Sequence, residues 1–111
     1  MIDRSEKLNK MLAKVNMIFN DCDHLAVLKK AIADGSDQII KKIFASGLRG
    51  RGGAGFNTAL KWKMARENAA PQKYVICNAD EGEPGTFKDR EILEKVLEKV
   101  LLGMAICATA I

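Results

Sequence analysis

Residues 46–56 read Ser46-Gly-Leu-Arg-Gly-Arg-Gly-Gly-Ala-Gly-Phe56 and hold five of the nine glycines in this chain of 111 residues. Glycines let the backbone pass close to a ligand, and their successive N–H groups can converge on an anion. A helix predicted to begin at Asn57 or Thr58 adds its positive end to this stretch. We therefore predict an anion-binding loop, with a flexible surface turn as the alternative. We also expect a positive φ at Gly52.

Two familiar glycine motifs fit this loop poorly. Residues 50–55 match G-x-G-x-x-G, but that fingerprint follows a strand, whereas a predicted helix precedes this loop. The Walker pattern needs a Gly-Lys-Ser/Thr sequence, which does not follow here. Arg51-Gly52-Gly53 is typical of RNA-binding segments, but those are repetitive and disordered, and this one occurs once between predicted elements. We expect no nucleic-acid partner.

The elements around the loop follow from apolar spacing and punctuating residues. Asp3 is predicted to cap a first helix, Ser36 a third helix that ends at Gly47, and Thr86 a final helix. Pro71 is predicted to end the helix that follows the loop, and residues 73–78 form the best strand. The apolar faces are predicted to contain the following residues: Leu8, Met11, Leu12, Val15, Ile18 and Phe19; Leu25, Leu28 and Ile32; Ile39, Ile40, Ile43 and Phe44; Leu60, Trp62 and Met64; Ile92, Leu93, Val96, Leu97, Val100 and Leu101.

A second polar stretch follows the predicted strand. Asn78, Asp80, Glu81 and Glu83 lie at its carboxyl end, the edge where open α/β sheets bind ligands. Carboxylates repel phosphate but accept hydrogen bonds from ribityl and ribose hydroxyls or a carboxamide. A dinucleotide would therefore put its phosphates on the glycine loop and its hydroxyls here. A solvated acidic turn is the alternative, and the ligand spacing of an EF-hand is absent.

Composition excludes several classes of protein. The chain is 48% hydrophobic and carries a net charge of +4, which suits a single globular domain and permits an anionic ligand. Its cysteines, at positions 22, 77 and 107, are too few and too far apart for a zinc, iron–sulfur or disulfide framework. The first residues lack a secretory signal, and the apolar run 100–111 is too short to span a bilayer. We predict a cytoplasmic protein with no direct membrane insertion.

Isolated candidate residues are less informative. His24, the single histidine, is expected at a helix start as a capping or surface residue. Cys77 is expected to be a buried hydrophobe in the strand. Trp62 and Phe56 flank the glycine loop, and each residue type is more often core than ligand stack. We predict no catalytic side chain and no metal site.

Together the two loops resemble one family. Residues 46–56, then Leu60-Lys61-Trp62, then Asn78-Ala-Asp-Glu-Gly-Glu-Pro-Gly-Thr86 and 88–91, are similar to the flavin-bearing, NADH-oxidising subunit of respiratory complex I. The diaphorase subunits of NAD-dependent hydrogenases and formate dehydrogenases share the pattern. The resemblance is strong over residues 46–91 and looser outside them. Residues 1–24 carry no motif that can be assigned.

The resemblance implies an α/β fold, with N-terminal helices over residues 1–45 and the first, incomplete part of a Rossmann-like FMN/NADH-binding domain over residues 46–111. It implies FMN and NADH as cofactors, with hydride transfer to the flavin and electrons passed on to iron–sulfur clusters. The family's [4Fe–4S] ligands are absent from this chain. The implied partners are iron–sulfur subunits, in a complex peripheral to a membrane.

The resemblance also assigns the site residues. The backbone of Gly50, Arg51, Gly52 and Gly53 would approach the FMN phosphate, within the loop that continues through Ala54 and Gly55, and Lys61 would add charge. Asn78, Asp80 and Glu81 would hold the ribityl chain and ring. Glu83 and Phe56 would face the nicotinamide nucleotide.

Two departures from the family qualify this interpretation. The family commonly has Pro and Gly where this chain has Asn57 and Ala59, although Asn is a good helix cap. Family members are also several times longer, so we expect a portion of a subunit that, by itself, is a poor diaphorase and associates through exposed apolar surface. The alternative is a non-catalytic interaction module that keeps the nucleotide-binding loops.

Overall fold

A computed structural model describes residues 3–15 and 18–111, without the side chains of residues 10–15. This part of the chain is helical, and the only β pairing in it is a single antiparallel bridge between Arg49 and Asn57. None of its helices is long and apolar enough to cross a membrane. The helices are, in order, α1 (Arg4–Val15), α2 (His24–Asp34), α3 (Ser36–Ser46), α4 (Thr58–Glu67) and α5 (Lys88–Ala110).

Helix α1 begins as predicted and ends earlier than predicted. The Asp3 carboxylate accepts a hydrogen bond from the backbone N–H of Ser5 at 3.2 Å, so the predicted cap is confirmed. Because α1 ends at Val15, Ile18 and Phe19 do not extend its apolar face, and both are exposed. The Phe19 ring lies 5.9 Å from the Lys95 ammonium. The predicted contributions of Met11, Leu12 and Val15 to that face lie outside the described side chains.

Helices α2 and α3 meet at Gly35, whose φ of +81° suits glycine. The prediction that Ser36 caps α3 is wrong, since Gly35 is the N-cap and Ser36 is the first helical residue. The Ser36 hydroxyl instead donates to the carbonyl of Ala110, at the end of α5. Gly47 ends α3 in the left-handed conformation, as predicted.

Helix α4 has the predicted cap, because the Asn57 side chain accepts from the N–H of Leu60 at 3.0 Å. It ends at Glu67, before Pro71, so the proline is not its terminator. Helix α5 is interrupted at Val96, where φ is −137° and ψ is 39°. The prediction that Thr86 caps α5 is wrong, since the N-cap position belongs to Phe87 and makes no side-chain cap.

The core lies where α2, α3 and α5 meet. Its buried members are Ala31, Ile39 and Ala110, and the half-buried Trp62 of α4 packs against them. Trp62 is therefore a core residue. His24 begins α2 on the surface, 3.6 Å from the Glu98 carboxylate of α5.

The segment from residue 69 to residue 82 forms no helix and no paired strand, and it joins α4 to the acidic loop. Lys73 and Val75 are half-buried, whereas Tyr74 and Ile76 are 77% and 83% exposed, which is the alternation of a strand. No partner strand pairs with it among residues 3–15 and 18–111, so the sheet of the predicted α/β fold is not seen there. Cys77 is exposed, so the prediction of a buried thiol is wrong.

One lysine joins this segment to the ends of two helices. The Lys73 ammonium donates to the carbonyl oxygen of Arg66 at 2.7 Å and to that of Ile111 at 3.4 Å. These carbonyls lie at the carboxyl ends of α4 and α5, where a cation is favoured by the helix dipole. The segment therefore leaves the helices at a defined point and carries the acidic loop toward the glycine loop.

Candidate functional site

The glycine loop is closed at its base by backbone hydrogen bonds. The N–H of Gly50 donates to the carbonyl of Phe56 at 2.9 Å, and that of Thr58 donates to Leu48 at 3.1 Å. The exposed Arg49 guanidinium donates to the carbonyl of Gly55 at 3.2 Å. These bonds make residues 50–56 a defined loop at the start of α4 rather than an irregular turn.

The glycines of this loop serve different purposes. Gly55 has a φ of +71°, a conformation in which a side chain is strained. Gly52 does not have a positive φ, so that expectation is wrong. A Cβ atom added at Gly52 or Gly53 would meet no heavy atom within 4 Å. Protein packing therefore does not require glycine at these two positions, and their backbone remains open to an approaching ligand.

The acidic loop is held by turns and by one longer contact. The N–H of Asp80 donates to the Asn78 side chain at 3.0 Å, and the N–H of Thr86 donates to the Glu83 carbonyl at 3.3 Å. The longer contact is made by Glu81, whose Oε1 atom accepts from two backbone N–H groups in the first turn of α5. Its Oε2 atom is buried and has no hydrogen-bond partner in the described part of the chain.

The two loops line one cavity of about 610 Å³. Six of the twelve predicted site residues line it: Arg51, Gly52, Asn78, Asp80, Glu81 and Glu83. The other six lie outside its lining: Gly50, Gly53, Ala54, Gly55, Phe56 and Lys61. Phe56 is 48% exposed at the base of the glycine loop, and Lys61 is exposed on α4.

Sequence reasoning missed four further lining residues, which are Gly82, Thr86, Lys88 and Asp89. The last two belong to the first turn of α5. The Lys88 ammonium lies 2.5 Å from the Asp89 carboxylate, and this hydrogen bond raises the pKa of Lys88. Spacing along the chain carries no signal for them, because they reach the cavity through the contact between Glu81 and α5.

Charges of both signs line the cavity. Its lining includes four carboxylates, from Asp80, Glu81, Glu83 and Asp89, and two cations, from Arg51 and Lys88. A phosphate would therefore be favoured only beside a cation, and the carboxylates would accept hydrogen bonds from hydroxyl or amide groups. Within the described part of the chain, no histidine or cysteine lines this cavity. The arrangement is suited to holding a polar ligand.

Comparison with known proteins gives a consistent set of matches. The family model of the Nuo51 FMN-binding domain matches residues 43–111. The alpha subunit of the NAD-reducing hydrogenase HoxS from Cupriavidus necator is 61% identical over 75 residues, which are 68% of this chain and 12% of that subunit. An NADH-quinone oxidoreductase subunit of Rhizobium meliloti is 49% identical over 85 residues, and one of Aquifex aeolicus is 51% identical over 84. Each of these two matches covers 76% of this chain and 20% of the relative.

Proposed function

The chain belongs to the Nuo51 FMN-binding domain family, and from that premise we propose that it supplies FMN- and NADH-binding loops of an NADH-oxidising flavoprotein subunit. The observation that carries the proposal is the shared cavity, in which the glycine loop faces the acidic loop. Relatives named as an NAD-reducing hydrogenase and as NADH-quinone oxidoreductases support the same class of activity. Because the matches span 12% to 20% of those relatives, the activity of the whole protein is part of the proposal.

The phosphate of FMN is proposed to bind at the glycine loop. The Arg51 side chain is a cation on this wall, and a ligand can approach the backbone at Gly52, where an added Cβ would meet no heavy atom within 4 Å. A guanidinium and backbone N–H groups are the usual partners of phosphate oxygens. The remaining loop residues and Lys61 are proposed ligands on the resemblance alone.

The sugar alcohol and ring of the flavin are proposed to lie on the acidic wall. Asn78 and Asp80 would accept hydrogen bonds from ribityl hydroxyls or ring N–H groups, chemistry that carboxylate and amide oxygens perform well. Glu81, which the resemblance also assigns to the flavin, is proposed to act on this wall through its contact with α5. Glu83 lies farther along the loop and is proposed, with Phe56, to face the nicotinamide nucleotide.

The chain's own residues bind and orient, while the cofactor supplies the redox chemistry. When bound, FMN can accept a hydride from NADH and release electrons singly. The Glu81 contact holds the acidic wall in place, and the base hydrogen bonds hold the glycine wall. No side chain of the cavity needs to move a proton.

The wider setting is proposed on the same grounds. Residues 73–78 would form a strand of the Rossmann-like sheet, and the alternating exposure of residues 73–76 supports this. The partners would be other subunits, because the relatives are named as subunits of larger oxidoreductases. The resemblance alone suggests that these are iron–sulfur subunits. The complex would lie in the cytoplasm or on the cytoplasmic side of a membrane.

The proposal is tested by titrating FMN with the full chain and following flavin fluorescence. Arg51→Ala is expected to weaken binding about 10- to 100-fold, since a hydrogen bond to a charged group contributes roughly 1.5–3 kcal/mol. Lys63→Ala is the matched control, because Lys63 lies on α4 in an exposed pair with Glu67 at 3.8 Å. Equal affinities for the two variants, or no binding by the parent chain, would contradict the proposal and favour a non-catalytic interaction module.

A further inference from the structure

Glu81 occupies a place between the cavity and α5 that ligand binding does not explain. Its Oε1 atom accepts hydrogen bonds from the backbone N–H groups of Asp89 at 3.0 Å and Arg90 at 3.1 Å. These groups belong to the first turn of α5, where a helix has no internal acceptor for them. Phe87, at the N-cap position, makes no side-chain cap. Glu81 therefore caps α5 from within the acidic loop, eight residues before Asp89.

We propose that Glu81 is a positioning residue, whose carboxylate fastens the acidic loop to α5 and thereby fixes the wall that faces the glycine loop. The two local turns of the loop, at Asn78 and at Glu83, join the loop only to itself. The Glu81 contact is different, because it joins the loop to a helix whose far end packs in the core through Ala110. The carboxylate also lies at the positive end of the α5 dipole, which favours its charge.

Substitutions at Glu81 distinguish a positioning role from a direct contact with the ligand. Glutamine keeps one carbonyl oxygen that can accept from the Asp89 and Arg90 N–H groups, but it replaces the other oxygen with a donor. Alanine removes both. A positioning residue is therefore largely rescued by Glu81→Gln, whereas a residue that acts as an acceptor for the ligand through Oε2 is not rescued.

The first test needs no cofactor. Amide hydrogen exchange of the full, ligand-free chain is measured by NMR at Asp89 and Arg90. Glu81→Ala is expected to accelerate exchange at both amides by about 2- to 30-fold, the range for loss of an N-cap. Glu81→Gln should retain most of the protection, and Glu83→Gln, a change in the same loop with no bond to α5, should leave these two amides unchanged. Unchanged exchange at these amides in Glu81→Ala would overturn the proposal.

The second test rests on the proposed function and uses FMN as the probe. Glu81→Ala is expected to weaken FMN affinity by at most the factor by which it accelerates amide exchange, about 2- to 30-fold. Both effects result from loss of the same contact between Glu81 and α5. Glu81→Gln is expected to bind nearly as well as the parent. Equal loss in the two variants, with helix content intact by circular dichroism, would overturn the positioning role. If the parent itself bound no FMN, the proposed function would fail, and the exchange experiment would still decide whether Glu81 fastens the loop.

Discussion

Substituting valine at Gly52 and at Gly55 should separate ligand binding from stability within one loop. The two glycines differ in backbone conformation, since Gly55 has a φ of +71° and Gly52 does not have a positive φ. They also differ in surroundings, because Gly52 lines the cavity and Gly55 does not. A Cβ at Gly52 would meet no heavy atom within 4 Å. The protein alone therefore tolerates a side chain there, and a ligand that approaches the backbone does not.

The expected magnitudes follow from these differences. Gly55→Val places a β-branched residue in the left-handed region, which destabilises the fold by roughly 1–2 kcal/mol or more. Gly52→Val should change the free energy of unfolding by no more than about 0.5 kcal/mol, as for most surface substitutions. Gly52→Val should instead weaken the binding of FMN. Blocking one hydrogen bond to a charged phosphate costs roughly 1.5–3 kcal/mol, about a 10- to 100-fold loss of affinity.

Two measurements on each variant test this reasoning. Urea unfolding gives the free energy of unfolding, and a fluorescence titration gives the affinity for FMN. We expect Gly52→Val to retain the parent's unfolding midpoint and lose affinity, and Gly55→Val to lose stability. A Gly52→Val protein that binds FMN as tightly as the parent would refute the assignment of this glycine to the ligand. A Gly55→Val protein of unchanged stability would refute the argument from φ.

Three further predictions concern the acidic loop, a helix cap and an ion pair. Glu83→Ala should weaken the apparent affinity for NADH about 10- to 100-fold while flavin content stays unchanged; loss of flavin with unaltered NADH affinity would reverse the assignment. Asn57→Ala should lower the free energy of unfolding by about 0.5–2 kcal/mol in urea titrations, because it removes the α4 cap; a stability equal to the parent's would argue against the cap. The pKa of Asp34 is lowered chiefly by its hydrogen bond from Lys42. The ionised carboxylate therefore stabilises the fold at pH values above its unfolded-state pKa, and this stabilisation is lost as the pH falls through the folded-state pKa. Asp34→Asn should therefore reduce the thermal midpoint at pH 7 and match the parent in strong acid, and an equal difference at both pH values would contradict the linkage.

The features that can be predicted well from sequence are local ones. The Asp3 and Asn57 caps and the left-handed Gly47 each depend on contacts within a few residues along the chain, and all three are present. Residue types with strong local preferences therefore specify helix boundaries almost without tertiary information.

The features that were predicted wrongly depend on distant contacts. Ser36 does not cap α3, because its hydroxyl donates to the Ala110 carbonyl, 74 residues away. The α5 cap is supplied by Glu81 instead of Thr86, and Lys88 and Asp89 thereby join the cavity. Cys77 is exposed, and the segment that contains it has no partner strand among the described residues. Local spacing carries no information about any of these contacts.

The central claim is that the glycine loop and the acidic loop bind FMN between them. It is tested most directly by titrating the isotope-labelled full chain with FMN and following the backbone amide signals by NMR. We predict saturable shifts concentrated at Arg51 and Gly52 on one wall and at residues 78–83 on the other. Shifts confined to a single loop, or centred on the groove between α3 and α4 lined by Phe44 and Leu60, would contradict it.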